Sequence, residues 1–148
     1  MKKQAYLVVA TEEELKLFPS DKRAVIVMGV GGANAVAALR DIPRDADILN
    51  VGYAGSRHLP IGRRITIGRC RTYHPNVTFA EQTFILGSGA GLCLTAGDFV
   101  KEADIPTDAV VDMELAYICA LGFTNIRSIK VVSDHFDYDQ YEKTIKDK

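Results

Sequence analysis

Apolar residues along the chain fall into short blocks separated by polar or glycine-marked turns. Residues 5–10 (A-Y-L-V-V-A) and 24–28 (A-V-I-V-M) are unbroken apolar runs of strand length. Between them T-E-E-E opens a short helix that Pro19 ends. Gly29-Val30-Gly31-Gly32 is a tight turn into an Ala-rich helix over 33–40. A third strand over 47–51 runs into Gly52-Tyr53-Ala54-Gly55. Residues 61–73 alternate apolar and polar positions around Gly68, the pattern of one or two half-exposed strands.

The second half continues the alternation. Two short strands, 83–86 and 92–95, flank the glycine-rich turn 87–91 like a hairpin. Thr95-Ala96-Gly97-Asp98 turns into a short helix near Phe99. A strand over 109–111 feeds a helix that runs to Leu121 and stops at Gly122. The last strand covers 126–132, and 138–146 is a polar terminal helix. Strands alternating with helices predict a three-layer α/β/α sandwich on a mixed, twisted sheet, as one domain over residues 1–148.

Bulk properties narrow the partners. The formal charge of −1 provides no field for nucleic acid or an anionic membrane. No apolar stretch approaches the ~20 residues that span a bilayer. Met1-Lys2-Lys3 leads at once into a short run and then acids, which is not a secretory signal, so a cytoplasmic location is expected. The three cysteines lack a C-x-x-C spacing, which argues against a disulfide framework or a zinc site; Cys93 and Cys119 sit in apolar runs as core residues. No metal or other cofactor is expected.

Candidate chemistry lies in carboxylates. Glu114 (V-V-D-M-E) and Asp134 (V-V-S-D) follow apolar runs, and Glu12-Glu13-Glu14 follows the first strand. Strand C-terminal ends are where ligands collect in α/β proteins. Each acid also has a structural explanation. Glu14 completes a T-x-x-E capping box with Thr11. Glu114 complements a helix dipole. Asp134 serves as a turn or N-cap residue, a task that Asp137 or Asp139 also suits.

Six segments, in order, resemble the nucleoside phosphorylase/nucleosidase superfamily, and most closely the 5′-methylthioadenosine/S-adenosylhomocysteine nucleosidases. They are A-T-E-E-E-L (10–15), G-V-G-G-A-N-A-V-A-A-L (29–39), N-V-G-Y-A-G (50–55) with L-P-I-G (59–62), R-T-Y-H (71–74), T-A-G-D-F-V (95–100), and V-V-D-M-E (110–114) with S-D (133–134). The resemblance implies hydrolysis of a purine nucleoside. It makes Asp134 the acid that protonates the purine, Glu114 the ribose ligand with Met113 beneath the sugar, and Glu14 the residue that orients water, with Glu12 as fallback. It places Phe99 on the base and Val100 at its edge, and lines the sugar side with Ala54, Gly55 and Ser133. It also implies a homodimer or higher homo-oligomer; the small residues of the 33–39 helix permit close approach, so that helix or the Tyr53 region is expected near the interface. The chain departs from the pattern in its shortness, especially between Tyr73 and Phe84, and in Tyr53, where the family has a small residue.

Water fits the nucleophile better than phosphate. No arginine lies within 50–55 or beside 29–32, Arg57 being the nearest, and Glu12–Glu14 would repel an anion. The alternatives are a phosphate-dependent phosphorylase and a non-catalytic nucleoside-binding protein.

Overall fold

A computed structural model of the chain describes residues 4–18, 22–73, 83–87, 89–96, 105 and 108–146. The elements in order are β1 (Ala5–Val9), a 3-10 helix (Glu12–Leu17), β2 (Ala24–Val27), α1 (Gly32–Leu39), β3 (Asp47–Ser56), β4 (Arg64–Tyr73), β5 (Thr83–Ile85), β6 (Gly91–Ala96), β7 (Ala109–Asp112), α2 (Leu115–Ala120), β8 (Asn125–Asp134) and α3 (Tyr138–Lys146). No helix among the described residues is long and apolar enough to cross a membrane.

The mixed sheet closes on itself. β3 pairs parallel with β8, β8 antiparallel with β4, β4 parallel with β6, β6 parallel with β7, and β7 antiparallel with β3. That ring of five strands is extended by β1 and β2 beyond β3 and by β5 beyond β4. Among the described residues, three layers are realised over β1 and β3 and again where α3 packs Ile145 on Tyr53 and Val131 of β3 and β8 while α2 packs on the neighbouring Ala54 and Val132. Over β1 and β3, Leu7, Val9, Leu49 and Val51 face the 3-10 helix, while Val8 and Ile48 face α1 and α2. Around the ring, Ala54, Val132, Ile67, Cys70, Cys93 and Val110 form one cluster, packed with Leu115, Ala116 and Cys119 of α2. A closed sheet buries one face against itself, so fewer helices are needed to cover it.

Two local expectations change. The expected hairpin of 83–86 with 92–95 does not form, because β4 lies between β5 and β6. The glycine-rich segment crosses β4 instead, and a Cβ on Gly68 would collide with the Gly89 carbonyl. Secondly, β3 does not stop at 51. It continues through Gly52 and Gly55 to Ser56, held by pairing to β8 and then to β7. Two ladders outweigh the poor strand propensity of glycine.

Candidate functional site

Strand direction assembles the site. β1, β3 and β8 run parallel, so Ala10 and Thr11, Tyr53 to Gly55, and Ser133 with Asp134 come to the same end. β7 runs against β3, pairing Val111 with Gly55, so its end delivers Asp112, Met113 and Glu114 to the same place. The result is a cavity of about 280 Å³ lined by Glu14, Glu114 and Asp134, with Met113, Ser133, Ala54 and Gly55 among its walls. That is near the lower end of the ~300–1,000 Å³ of small-molecule sites.

Glu14 is buried although its neighbours Glu12 and Glu13 are exposed. Its Oε1 accepts the amides of Ala10 (2.8 Å) and Thr11 (3.2 Å), and its Oε2 accepts the Tyr53 amide (2.8 Å). The Thr11 bond is the capping contact expected from T-x-x-E; the Tyr53 bond is not, and it ties the helix to the end of β3. Burial raises the Glu14 carboxyl above its usual range, opposed by Lys130 and these amides. Glu12 does not line the cavity, so its place as fallback is not supported: the turn of the helix that buries Glu14 points Glu12 to solvent.

Glu114 sits at the N-cap of α2, and its Oε2 accepts the Gly31 amide at 2.7 Å. The 29–32 glycine turn is therefore part of the site, beyond its role in starting α1. Gly29 and Gly31 have φ of 92° and 96°, a region that suits glycine. Burial first, then the charge of Asp112, pushes the Glu114 carboxyl up to about 7, against Lys130 and the Gly31 amide.

Asp134 is positioned by a β-bulge. Ala54 aligns with Val132 but Gly55 with Asp134, so Ser133 is an extra residue in β8. Bulges re-aim side chains. The Ser133 hydroxyl donates to Asp134 Oδ1 (2.6 Å), and the Phe136 amide donates to Oδ2 (3.0 Å). Phe136 takes a left-handed φ of 65° to do so. Helix capping falls to Asp137, whose Oδ1 accepts the amides of Asp139 and Gln140. Asp134 is thus left to the cavity, and burial raises its carboxyl against the Ser133 bond.

Chains with this architecture are known. A 5′-methylthioadenosine/S-adenosylhomocysteine nucleosidase variant from Chlamydia trachomatis, bound to MTA, aligns at TM-score 0.77 and 20% identity, over 97% of this chain and 90% of that one. The Neisseria meningitidis nucleosidase in complex with methylthio-immucillin-A aligns at 0.75 and 19%, over 98% and 93%. The nucleosidase from S. pneumoniae with a transition-state inhibitor aligns at 0.76 and 19%, over 97% and 92%. The chain has the nucleoside phosphorylase/nucleosidase fold. No protein-family model matches it, and no curated protein matches it in sequence.

Within this nucleosidase fold, Phe99 and Val100 lie outside the described residues, as does His74. Tyr53 is buried against Val131 and Ile145. Sequence reasoning missed two groups. One is the aromatic wall of Phe136, Tyr138 and Tyr141, legible in the spacing F-D-Y-D-Q-Y. The other is the ion pair of Asp112 Oδ2 with Lys130 Nζ, 3.0 Å apart and buried. A lysine inside the apolar run I-K-V-V was its only signal.

Proposed function

We propose that this protein is a nucleosidase that hydrolyses the N-glycosidic bond of an adenine-type purine nucleoside of the methylthioadenosine or S-adenosylhomocysteine class. The observation that carries this reading is the meeting of Glu14, Glu114 and Asp134 at one cavity in three different environments. Asp134, whose carboxyl burial raises above its usual range, donates a proton to the leaving purine as the bond to the sugar breaks; such an acid is worth 10²–10⁴-fold. Glu114 and Met113 hold the sugar. Glu14 accepts a proton from the water that attacks the ribosyl cation. Fixed groups facing a developing positive charge stabilise it with little reorganisation.

Among the described residues, no arginine or histidine lines the cavity, which favours water over phosphate as nucleophile. Arg57, the nearest candidate in sequence, donates to the Ile105 carbonyl at 3.1 Å instead. The test is release of free base from methylthioadenosine, S-adenosylhomocysteine, adenosine and inosine, with and without phosphate. Phosphate-independent release is expected. Phosphate dependence makes the protein a phosphorylase, and tight binding without release makes it a nucleoside-binding protein.

A further inference from the structure

Among the described residues, Lys130 is the bulkiest side chain that is almost wholly removed from solvent. It lies mid-way along β8, aligned with Gly52 of β3 on one side and Ile65 of β4 on the other. Its neutralising partner is Asp112, whose oxygens are otherwise saturated. Oδ1 accepts the Thr95 hydroxyl (2.6 Å) and the Cys93 thiol (3.3 Å); Oδ2 accepts the amides of Leu115 (2.8 Å) and Glu114 (3.3 Å). Against its burial, the Lys130 charge first and then the Thr95 and Leu115 bonds hold Asp112 as an anion, below the usual carboxylate range. An ammonium group has three donors, however, and one ion pair does not exhaust it.

The second neighbour lies across Gly52. A methyl group on Gly52 would sit 2.7 Å from Glu14 Oε2 and 3.4 Å from Lys130 Nζ. The absent side chain is the space that the carboxylate and the ammonium share. We propose that Lys130 is a positioning residue: across Gly52 it favours the ionised form of Glu14 in the resting cavity, ready to accept a proton, and so leaves Glu114 as the carboxyl that is protonated first. This rests on the reading of Glu14 as the acceptor of the water proton.

The surrounding charges agree. The 3-10 helix presents Glu14, β7 presents Asp112 and the start of α2 presents Glu114, each acting on the lysine, while Cys93 of β6 stays a neutral thiol that burial pushes up. On the cavity side, Asp134 of β8 and Tyr141 of α3 face the same acids. One cation among three fully ionised acids would leave excess negative charge in a buried space. A proton relieves it where the anion is least supported. Glu14 accepts three backbone amides and faces the lysine; Glu114 accepts the Gly31 amide and lies beside the anionic Asp112. Three amide donors favour the ionised form of a carboxyl.

The experiment is a titration of the whole protein labelled with carboxyl-¹³C glutamate, read by NMR, with Glu14→Gln and Glu114→Gln assigning the two resonances. In the unsubstituted protein, Glu114 should take up a proton at higher pH than Glu14. In Lys130→Met the Glu14 midpoint should rise by a unit or more, and Lys130→Arg should restore it. Lys130→Met strands Asp112 as an unpaired buried charge, so Asp112→Asn/Lys130→Met, which removes both charges, provides the same test in a neutral core. If Glu14 protonates before Glu114 in the unsubstituted protein, or if its midpoint is unmoved when Lys130 is replaced, the inference is overturned. The titration needs no turnover. Absence of base release defeats the proposed activity without touching this result. If the protein is active, the acid limb of its kcat/KM profile should move up with the Glu14 midpoint in Lys130→Met.

Discussion

Gly52→Ala isolates the geometry of Glu14 without altering any charge. The new methyl would lie 2.7 Å from Glu14 Oε2, well inside van der Waals contact, and 3.4 Å from Lys130 Nζ. Gly52 is held by its pairing with Lys130 in the long β3–β8 ladder, so the carboxylate is the group that must move. Oε2 then lengthens or loses its bond from the Tyr53 amide, now 2.8 Å. A hydrogen bond to a charged group contributes about 1.5–3 kcal/mol. Replacing glycine in an extended segment returns about 0.4–1 kcal/mol through the unfolded chain. The net expectation is a loss of ~1–2 kcal/mol, or roughly 3–8 °C in Tm for a domain of this size. The effect on turnover should be larger, because displacing a reacting group by about 1 Å can cost 10²-fold. Thermal melts and base release under saturating nucleoside measure the two effects. The same substitution in a Glu14→Gln background should cost little further activity, since the group it displaces is already disabled. Full turnover and an unchanged Tm in Gly52→Ala would show that Glu14 is not held where the argument needs it.

Asp134→Asn should lower kcat by about 10²-fold or more, measured by steady-state base release. It should also reduce Tm modestly, because one amide hydrogen group would face either the Ser133 hydroxyl or the Phe136 amide. Glu14→Gln keeps the Thr11 capping contact, but its NH₂ cannot accept the Tyr53 amide; activity should fall, with a loss of about 1–3 kcal/mol in denaturant unfolding. Glu114 is raised from 4.5 to about 7, so from about pH 4.5 to 7 the folded state binds more protons than the unfolded one. Stability should therefore fall as pH rises through that window, by about 3 kcal/mol for this group, and level off above it. Melts across pH 4.5–8 should show this slope, and Glu114→Gln should flatten most of it. Val25 and Val27 on the edge strand β2, with Val30 and Val36 by α1, are exposed, so self-association is expected; light scattering showing only monomer at micromolar concentration would refute it.

The strand positions were legible because β-branched runs bounded by glycine specify strands locally. Ring closure was not. A strand carries the same period-2 pattern in an open sheet as in a closed one, and nothing local tells β8 to pair with both β3 and β4. The end of β3 was misplaced for a related reason: Gly52 and Gly55 read as turn residues until their partners are known. At the site, Glu14, Glu114 and Asp134 stood out as acids following apolar runs. The three-amide cradle of Glu14 did not, because its Tyr53 bond joins residues 39 positions apart. Lys130 escaped notice because a lone lysine in a strand is ordinarily a solvent-facing residue, and only its pairing with Asp112 reverses that expectation.

The closed ring also dictates when the cavity can come into being. Synthesis delivers β1, the 3-10 helix, β2 and β3 early, yet the strand that joins β3 to β4 is the last of the eight. Asn50 and Ser128, 78 positions apart, meet through a side-chain hydrogen bond of 2.9 Å only after β8 has docked. Contacts of such sequence separation form slowly. Until then β3 and β4 each hold an open ladder, the feature that invites pairing between chains. Nascent polypeptide lacking β8 thus has Glu14 without Lys130 and Glu114 without Asp134, so the cavity that gathers the three acids is completed only by the final strand.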